Sequence, residues 1–431
     1  MKILLLNQAF YPDVASTSQH AQDLVKTLVA EGHQVMVVSS RRGYDDPSVR
    51  FSSSEVWQGV WILRIPCSGL GKGARWRRIV DIGTFFANCF VRLCLLPRFD
   101  VVLSMTSPPL ISTLAAIFSR WKGARLILWI MDLNPDEAVA AKWLGERSAT
   151  TRILEACLLY SLRRAEKIVV LDRFMKGRIL HKGVAENKVE VIPPWSHDAS
   201  VWYDPQGRRT FRERNGLSSK FVVMYSGNHS PCHPLDTLLE ASSRLADNPQ
   251  ITFCFIGGGS EFKKVRAFAQ ERNLPNIVCL PYQRLADLSA SLSAGDLHVV
   301  VMGNPFVGIV HPCKIYNILA LGIPFVYVGP QESHMADILE LTSEEDATGQ
   351  FQIPSSFRHG DVDGLAQCIL EAAKAGTRKS NAEMRVAREF SGRELPLRFV
   401  HLTTACPSPD SIDSKPDKRQ SSAPIRISSR S

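Results

Sequence analysis

The sequence predicts an α/β protein made of two domains, each with a doubly wound parallel sheet, which face each other across a cleft. Short runs of valine, isoleucine and leucine alternate with helical patterns along both halves of the chain. Such continuous apolar runs are typical of parallel strands that helices cover on both faces. The chain has 431 residues. That length exceeds one ordinary core and fits two domains of roughly 180–200 residues.

The first domain is predicted over residues 1–195. Its predicted strands cover residues 2–7, 34–39, 60–66, 100–105, 125–131, 167–171 and 189–193. Its predicted helices cover residues 17–30, 79–96, 108–120 and 149–164. The sequence Pro193-Pro-Trp195 and the polar stretch that runs to residue 214 predict a linker, because prolines and polar residues interrupt both periodicities.

The same alternation restarts after the linker and predicts a second domain over residues 196–380. Its predicted strands cover residues 221–225, 251–256, 277–280, 297–302 and 324–328, and its predicted helices cover residues 234–245, 260–272, 285–293 and 312–321. Further helices are predicted at 380–391 and 394–402, and we expect residues 381–402 to pack back on the first domain. Residues 403–431 are rich in serine, proline, lysine and arginine, which predicts a disordered tail.

Composition limits the location and the partners. Apolar residues make up 45% of the chain and charged residues 22%, as in soluble globular proteins. No apolar run reaches the roughly 18 residues of a membrane-spanning helix, and the first strand is too short for a signal peptide, so we expect a cytoplasmic protein. The ten cysteines form no Cys-x-x-Cys pair, which predicts reduced thiols and no zinc site. The formal charge of +9 suits a phosphorylated substrate or an anionic membrane, whereas no nucleic-acid module accompanies it.

The segment of residues 304–326 is typical of a phosphate site. It reads as a polar loop, a short helix that opens near Pro312, a glycine stop at Gly322 and a strand. Lys314 lies in the first helical turn, where backbone N–H groups and a cation favour phosphate. Gly308 and His311 of the same loop are further candidate binding residues. Lys314 is also a candidate catalytic residue.

Two glycine-containing loops upstream are candidate binding segments. Ser226, Gly227 and Asn228 follow the strand at 221–225, and exposed amides there can bind a diphosphate. Gly257 and Gly258 follow the strand at 251–256 and allow a ligand to approach the backbone closely. An ordinary strand-to-helix turn and a flexible turn are the alternative interpretations. Gly-x-Gly-x-x-Gly is not completed, so the dinucleotide fingerprint is absent.

Three single residues are weaker candidates. Tyr282 ends a strand and can flank a nucleobase, although partial burial in the core is an equal alternative. Asp132 ends the strand at 125–131, where a carboxylate can orient substrate hydroxyls or receive a proton, and helix capping is the alternative. His20 opens the first helix and can contact substrate, but lone histidines are more often structural.

Two further segments have competing interpretations. Residues 72–96 combine a basic cluster with a strongly apolar helix, which suits either an anionic membrane surface or a buried helix. The basic cluster consists of Lys72, Arg75, Arg77 and Arg78. The sequence Asp361-Val-Asp363 has the form of an Asp-x-Asp metal motif, but it precedes a predicted helix at 365–373. We therefore interpret it as a helix N-terminus and expect no metal.

These motifs together resemble the family-4 (group 1) retaining glycosyltransferases, which have the GT-B fold. The resemblance covers roughly residues 1–400. It rests on five segments: Asn7-Gln-Ala-Phe-Tyr-Pro-Asp13 with Glu31-Gly-His-Gln-Val35, Met131-Asp-Leu-Asn-Pro-Asp136, Met224-Tyr-Ser-Gly-Asn228, Phe255-Ile-Gly-Gly-Gly259, and the stretch from Pro312 to Pro324. The chain is most similar to the branch that transfers N-acetylated or deoxy sugars to lipid-linked glycans of bacterial surface polysaccharides.

The resemblance implies a nucleotide-diphosphate sugar in the second domain and an acceptor in the first. It implies that the diphosphate lies near Gly227, Asn228 and Lys314, and the base near Gly258 and Tyr282. It also implies hexosyl or N-acetylhexosaminyl transfer without metal or other cofactor, at the inner face of the plasma membrane.

The sequence departs from the family pattern at several positions. The usual pair of glutamates falls at Ile309 and Asn317, and Asn317 can still bond a hydroxyl. The diglycine of the first loop is replaced by residues 15–17, and His233 takes the place of a basic residue near the Ser-Gly turn. The departures motivate an alternative, a nucleotide-sugar-binding pseudoenzyme or partner subunit. A nucleotide-sugar epimerase on the same fold is a third interpretation.

Overall fold

A computed structural model describes residues 1–13, 15–44, 46–71, 75–197, 201–344, 356–376 and 381–405. Residues 406–431 of the predicted tail and Lys72 of the basic cluster lie outside the described residues. No helix among the described residues is long and apolar enough to cross a membrane.

The first sheet has eight strands in the order β3-β4-β2-β1-β5-β6-β7-β8. Its strands are β1 Lys2–Leu6, β2 Gln34–Ser40, β3 Ser54–Trp57, β4 Val60–Ile65, β5 Val101–Ser104, β6 Arg125–Trp129, β7 Lys167–Val170 and β8 Val189–Val191. All neighbours are parallel except the β3–β4 hairpin. Strand β1 is completely buried from Ile3 to Leu6, as expected at the centre of a covered parallel sheet.

Helices cover both faces of this sheet. They are α1 Ser16–Ala30, α2 Arg75–Leu95, α3 Ile111–Lys122, α4 Asp136–Ala140, α5 Ala149–Arg164 and α6 Arg173–His181. The sequence analysis missed β3, α4 and α6. Strand β3 is short and alternates in exposure at the sheet edge, so it carries little apolar signal.

The second sheet is six-stranded and parallel, in the order β11-β10-β9-β12-β13-β14. Its strands are β9 Phe221–Asn228, β10 Ile251–Gly258, β11 Ile277–Leu280, β12 Leu297–Val301, β13 Phe325–Val328 and β14 Ser356–Phe357. Its helices are α7 Pro205–Arg214, α8 Asp236–Arg244, α9 Phe262–Glu271, α10 Leu288–Ser293, α11 Lys314–Leu321, α12 His334–Glu344 and α13 Val362–Ala375. Helix α7 occupies part of the predicted linker, because Asp204 caps it and Pro205 starts it.

The chain returns to the first domain through its last two helices, α14 Asn381–Glu389 and α15 Glu394–Thr404. Helix α15 packs against α1, and its Phe399 ring lies 4.7 Å from that of Trp129. Helix α14 instead packs against α11 and α12 of the second domain. Of residues 381–402, which we expected to pack on the first domain, those in α15 contact α1, whereas those in α14 contact helices of the second domain. The reason is Phe390, whose ring lies 4.8 Å from the ring of Tyr316 in α11.

Asp361 and Asp363 lie at the N-terminus of α13, as the sequence predicted. The Asp361 carboxylate accepts a hydrogen bond from Gly364 N at 3.1 Å and caps the helix. Asp363 lies in the first turn and pairs with Arg244 at 2.6 Å.

Candidate active site

Lys314 projects from the first turn of α11 toward the carboxyl end of β9. Its Nζ lies 3.6 Å from the centroid of the Tyr225 ring. The Nζ atom is buried and has no hydrogen-bond partner among the described residues. Burial lowers the pKa of Lys314 to about 7, because desolvation disfavours an ammonium that lacks a counter-charge. A buried, unpaired cation of this kind is a strong indicator of an anion site.

The two glycine-containing segments form a continuous backbone wall beside Lys314. Ser226, Gly227 and Asn228 are not a turn but the end of β9, where they pair with residues 256–258 of β10. Gly227 has φ +134°, and a Cβ there would lie only 3.1 Å from Lys314 Nζ. A side chain at this position would strain the backbone and displace the ammonium by a few tenths of an ångström, so glycine favours this approach of Lys314 to the strand end. Tyr282 borders the same wall, because its hydroxyl donates to Gly258 O at 3.4 Å.

Three histidines surround this wall and are neutral. Burial, followed by the charge of Lys314, lowers the pKa of His229 to about 4 and that of His233 to about 3. Burial likewise lowers the pKa of His298 to about 4. The His233 Nδ1 is also bonded to Val301 O at 2.7 Å. Because its ring is neutral, His233 does not supply the positive charge of the family's basic residue. Lys314 lies against the backbone wall at Gly227 and supplies a positive charge there.

Asp132 reaches the loop before Lys314 from the first domain. It follows β6 and is only partly exposed. Burial first, and then the charge of Glu137, raises the pKa of Asp132 to about 7. Burial is the main cause of the raised pKa of the Cys232 and Cys313 thiols, and the charge of Asp132 adds to it at both. A carboxyl with this pKa can exchange protons near neutral pH.

His20 and Asn317 meet at the interdomain linker. The ring of His20 stacks on that of His197 at 4.8 Å, and His197 Nδ1 lies 2.9 Å from Asp23 Oδ2. Asn317 Oδ1 accepts a hydrogen bond from the backbone N–H of His197 at 3.3 Å. Burial holds the pKa of His20 well below its usual value, so the ring is neutral. Both residues therefore contact the linker; that either contacts a ligand stays a prediction.

His311 and Gly308 lie at the interface between the domains. His311 Nδ1 is 2.9 Å from Asp172 Oδ2, and its Nε2 is 2.6 Å from the Tyr316 hydroxyl. Both ring nitrogens are thus bonded within the protein. Sequence analysis missed Asp172, although its position after β7 matches that of Asp132 after β6. It also missed Tyr316, which lies within an apolar helical pattern, and His334, which follows a polar loop.

Asp172, His311 and His334 are the one group of metal-ligand types that converges among the described residues. The rings of His311 and His334 are stacked, with centroids 3.8 Å apart and planes 19° apart. A metal ion lies in the plane of each imidazole that binds it, and one ion cannot lie in two stacked planes. This arrangement does not suit a metal ion.

Two α/β domains with largely parallel sheets, which meet around an unpaired lysine and a backbone wall, have the GT-B architecture. The family model described as Glycosyl transferase 4-like domain matches residues 17–195. The model described as Glycosyl transferases group 1 matches residues 207–328. The chain therefore belongs to the group 1, family 4 glycosyltransferases.

Known proteins extend this similarity over almost the whole chain. The putative colanic acid biosynthesis glycosyl transferase WcaI of Escherichia coli (strain K12) is 26% identical over 417 residues, 92% of this chain and 96% of WcaI. Sucrose-phosphate synthase from Thermosynechococcus elongatus has a TM-score of 0.69 at 15% identity, covering 93% of this chain and 98% of the synthase. Anabaena HepE, solved with UDP and glucose, has a TM-score of 0.67 at 15% identity, covering 93% and 99%. At these identities the two structures show the shared fold.

Proposed function

We propose that the protein transfers a sugar, with retention of configuration, from a nucleotide-diphosphate sugar to a lipid-linked glycan during assembly of a bacterial surface polysaccharide. The observation that carries this proposal is the unpaired Lys314 ammonium, held on the Tyr225 ring and against Gly227. WcaI, a relative over nearly its full length, is named for colanic acid biosynthesis. HepE, which shares the fold, was solved with UDP and glucose.

The donor diphosphate supplies the charge that Lys314 lacks. As the bond from the sugar to the diphosphate breaks, negative charge grows on the leaving phosphate while the sugar becomes oxocarbenium-like. A fixed ammonium in a desolvated site stabilises that charge. Lys314 therefore supplies what a metal ion supplies in other transferases, and we propose transfer without metal. The N–H groups at the start of α11 act in the same sense.

The nucleoside and the acceptor occupy opposite sides of this lysine. On the donor side, the half-exposed Tyr282 ring beside Gly258 offers a surface for the base. On the acceptor side, Asp132 directly precedes Leu133, whose backbone N–H donates to Ile309 O at 2.9 Å. The Asp132 carboxyl is suited to orient the acceptor hydroxyl and to receive its proton.

An open cleft in the first domain suits the acceptor. It lies at the carboxyl ends of the strands, where open parallel sheets bind ligands. Its lining includes Arg42, Tyr44 and Arg78. Cationic side chains of this kind favour an acceptor that carries phosphate. Arg78 belongs to α2, which therefore links the cleft to the surface described next.

Helix α2 presents an apolar face to solvent. Its inner face is buried through Phe85, Cys89 and Leu93. Its outer face exposes large apolar side chains, which are Trp76 58%, Ile79 69%, Val80 39%, Phe90 47%, Val91 57% and Leu95 74% exposed. The exposed residues recur at helical spacing over about 30 Å, a length that follows from 1.5 Å per residue. Arg77 and Arg78 lie at one end. We propose that this face lies on the anionic inner surface of the plasma membrane.

A transfer assay tests the proposed activity. Radiolabelled UDP-, GDP- and dTDP-sugars are incubated with the protein and extracted bacterial lipid acceptors, and label that enters the lipid phase is counted. Lys314→Met should abolish transfer, whereas Lys374→Met, an exposed lysine on α13, should not alter it. Unchanged transfer by Lys314→Met contradicts the proposed phosphate site. The anomeric configuration of the product, read by NMR, tests retention.

Vesicle flotation tests the membrane contact separately. We expect the protein to float with vesicles that contain phosphatidylglycerol and to bind neutral vesicles less. Replacing Trp76 and Ile79 together by aspartate should abolish flotation. Ile153→Asp serves as the control, because Ile153 is 64% exposed on α5, a different helix. Equal flotation of both variants contradicts a contact through α2.

A second function, nucleotide-sugar binding without transfer, is favoured by the two replaced glutamates. Ile309 is only 3% exposed, at the domain interface, and carries no charge. Asn317 is engaged by the linker through His197. Measurable donor binding with neither transfer nor donor hydrolysis, over the same panel, would favour this alternative.

A further inference from the structure

The loop that precedes Lys314 belongs to the second domain but also makes hydrogen bonds and close contacts with the first domain. Arg178 Nε donates to Val307 O at 2.6 Å, and Leu133 N donates to Ile309 O at 2.9 Å. Gly308 has φ +68° and presses so closely on α6 that a Cβ would lie 2.7 Å from the backbone carbonyl of Phe174. Residues 307–309 thus touch the first domain at consecutive positions, immediately before α11.

Asp172 is the buried centre of this contact, with 6% exposure. Its Oδ1 accepts a hydrogen bond from Met175 N at 2.7 Å and caps α6, which fixes the carboxylate on the first domain. Its Oδ2 accepts a hydrogen bond from His311 Nδ1 at 2.9 Å. Burial opposes ionisation, but the hydrogen bond and charge of His311 outweigh it and hold the pKa of Asp172 at about 2. The acceptor is therefore a fixed carboxylate.

His311 passes this contact on to α11. His311 Nε2 lies within hydrogen-bond distance of the Tyr316 hydroxyl, at 2.6 Å. The planes of the His311 and Tyr316 rings are nearly parallel, with an angle of 4° between them. Tyr316 is 1% exposed and packs against Phe390. The hydrogen-bonded series Asp172–His311–Tyr316 thus ends at Tyr316 in helix α11. Lys314 is the first residue of that helix and lies two residues before Tyr316.

We propose that Asp172 is a positioning residue that, through His311 and Tyr316, orients the start of α11 so that Lys314 meets the donor diphosphate. This inference rests on the proposed function, since it takes the diphosphate as the ligand of Lys314. Its consequence is that a residue of the acceptor domain completes the donor site. The donor then binds tightly only when the two domains are docked at residues 307–311.

The variant Asp172→Asn isolates this role. Asparagine caps helices as well as aspartate does, so α6 keeps its first turn. The variant loses the charged acceptor for His311. Asp204→Asn is the matched control, because Asp204 caps α7 through Gly207 N at 2.8 Å in the same manner. Thermal unfolding of both variants establishes that they fold.

The test is a double-mutant cycle on donor affinity, measured by calorimetry on the full chain. The probe is whichever UDP-, GDP- or dTDP-sugar gives the largest thermal shift. We expect Asp172→Asn to raise the donor Kd roughly tenfold in the wild-type background and less than twofold in the Lys314→Met background. In transfer kinetics the same variant should raise the donor KM and also lower kcat, because Lys314 stabilises the leaving phosphate in the transition state as well as the bound donor.

Three outcomes separate the two ideas. An unchanged Kd for Asp172→Asn, or an equal loss in both backgrounds, overturns the positioning role while the proposed function stands. A loss by Asp204→Asn as large as that by Asp172→Asn also overturns it. If Lys314→Met itself binds the donor normally, or if no nucleotide-sugar in the panel binds, the proposed function fails.

Discussion

Donor binding should take up a proton, because Lys314 has a pKa near neutrality in the free protein. Burial without a counter-charge lowers that pKa to about 7. A bound diphosphate would favour the charged form and return the pKa toward its ordinary value of about 10.4. The bound state therefore holds a proton that the free state releases above neutral pH.

The magnitude follows from this difference. Below pH 7 the ammonium is present in both states, and affinity is at its full value. If the neutral amine does not bind, the apparent Kd should rise about fiftyfold between pH 7 and 9, with a slope that approaches tenfold per pH unit above the free pKa. The diphosphate of an intact nucleotide-sugar does not titrate in this range, because both phosphates are esterified. UDP does titrate and is the wrong probe.

Calorimetry in two buffers of different ionisation enthalpy measures the effect directly. At pH 8.5 we expect uptake of about one proton per donor bound, since Lys314 is then mostly neutral when free. Asp132 also titrates near pH 7, so the measurement is repeated in Asp132→Asn. His229 and His233 have pKa values of about 4 and 3, and they stay neutral from pH 7 to 9.

Lys314→Arg is the informative control. A guanidinium stays charged throughout this range, so the variant should bind the donor without proton uptake and without the pH dependence. Equal affinity of the wild-type protein at pH 7 and 9, with no dependence of the heat on the buffer, would refute the reasoning. It would mean that Lys314 keeps its proton without the donor.

Three other predictions follow from single contacts. Gly227→Ala should weaken donor binding in calorimetry by roughly tenfold, because the added Cβ lies 3.1 Å from Lys314 Nζ at a φ of +134° that disfavours side chains; normal binding would contradict the close approach. If the Asp132 carboxylate receives the proton, kcat should rise with pH through about 7, and Asp132→Asn should flatten that profile; an unaltered profile would assign the proton elsewhere. Asp361→Ala should lower the free energy of unfolding, measured by urea denaturation, by about 1 kcal/mol through loss of the α13 cap. An unchanged free energy of unfolding would show that this cap does not stabilise the protein.

The sequence predicted the fold well, because its strands are continuous apolar runs that tertiary contacts do not override. Lys314 was singled out because a cation at the first turn of a helix is a local pattern, and its phosphate-binding role stays a prediction. Gly227 and Gly258 were singled out because glycines that follow a strand are also a local pattern. Even so, the turn expected at residues 226–228 is the end of β9, since pairing with β10 extends the strand.

The partners of His20, His311 and Asn317 could not be predicted in this way. Each of the three bonds or stacks with a residue distant in sequence, namely His197 or Asp172. Such contacts depend on how the two domains dock, and a single sequence carries no periodic signal for docking. Helix α7 was missed for a local reason, because its polar residues resemble those of a linker.

The return of the chain through α14 and α15 has a mechanical consequence. The backbone passes between the domains twice, first after β8 and again after α14. At that point Ser196 N donates to Phe390 O at 2.9 Å. The two passages are thus hydrogen-bonded to each other at one point. Rotation of one domain relative to the other would be centred on that point and would not be restricted to a single axis. Opening and twisting motions of the lobes would both swivel about Ser196 and Phe390.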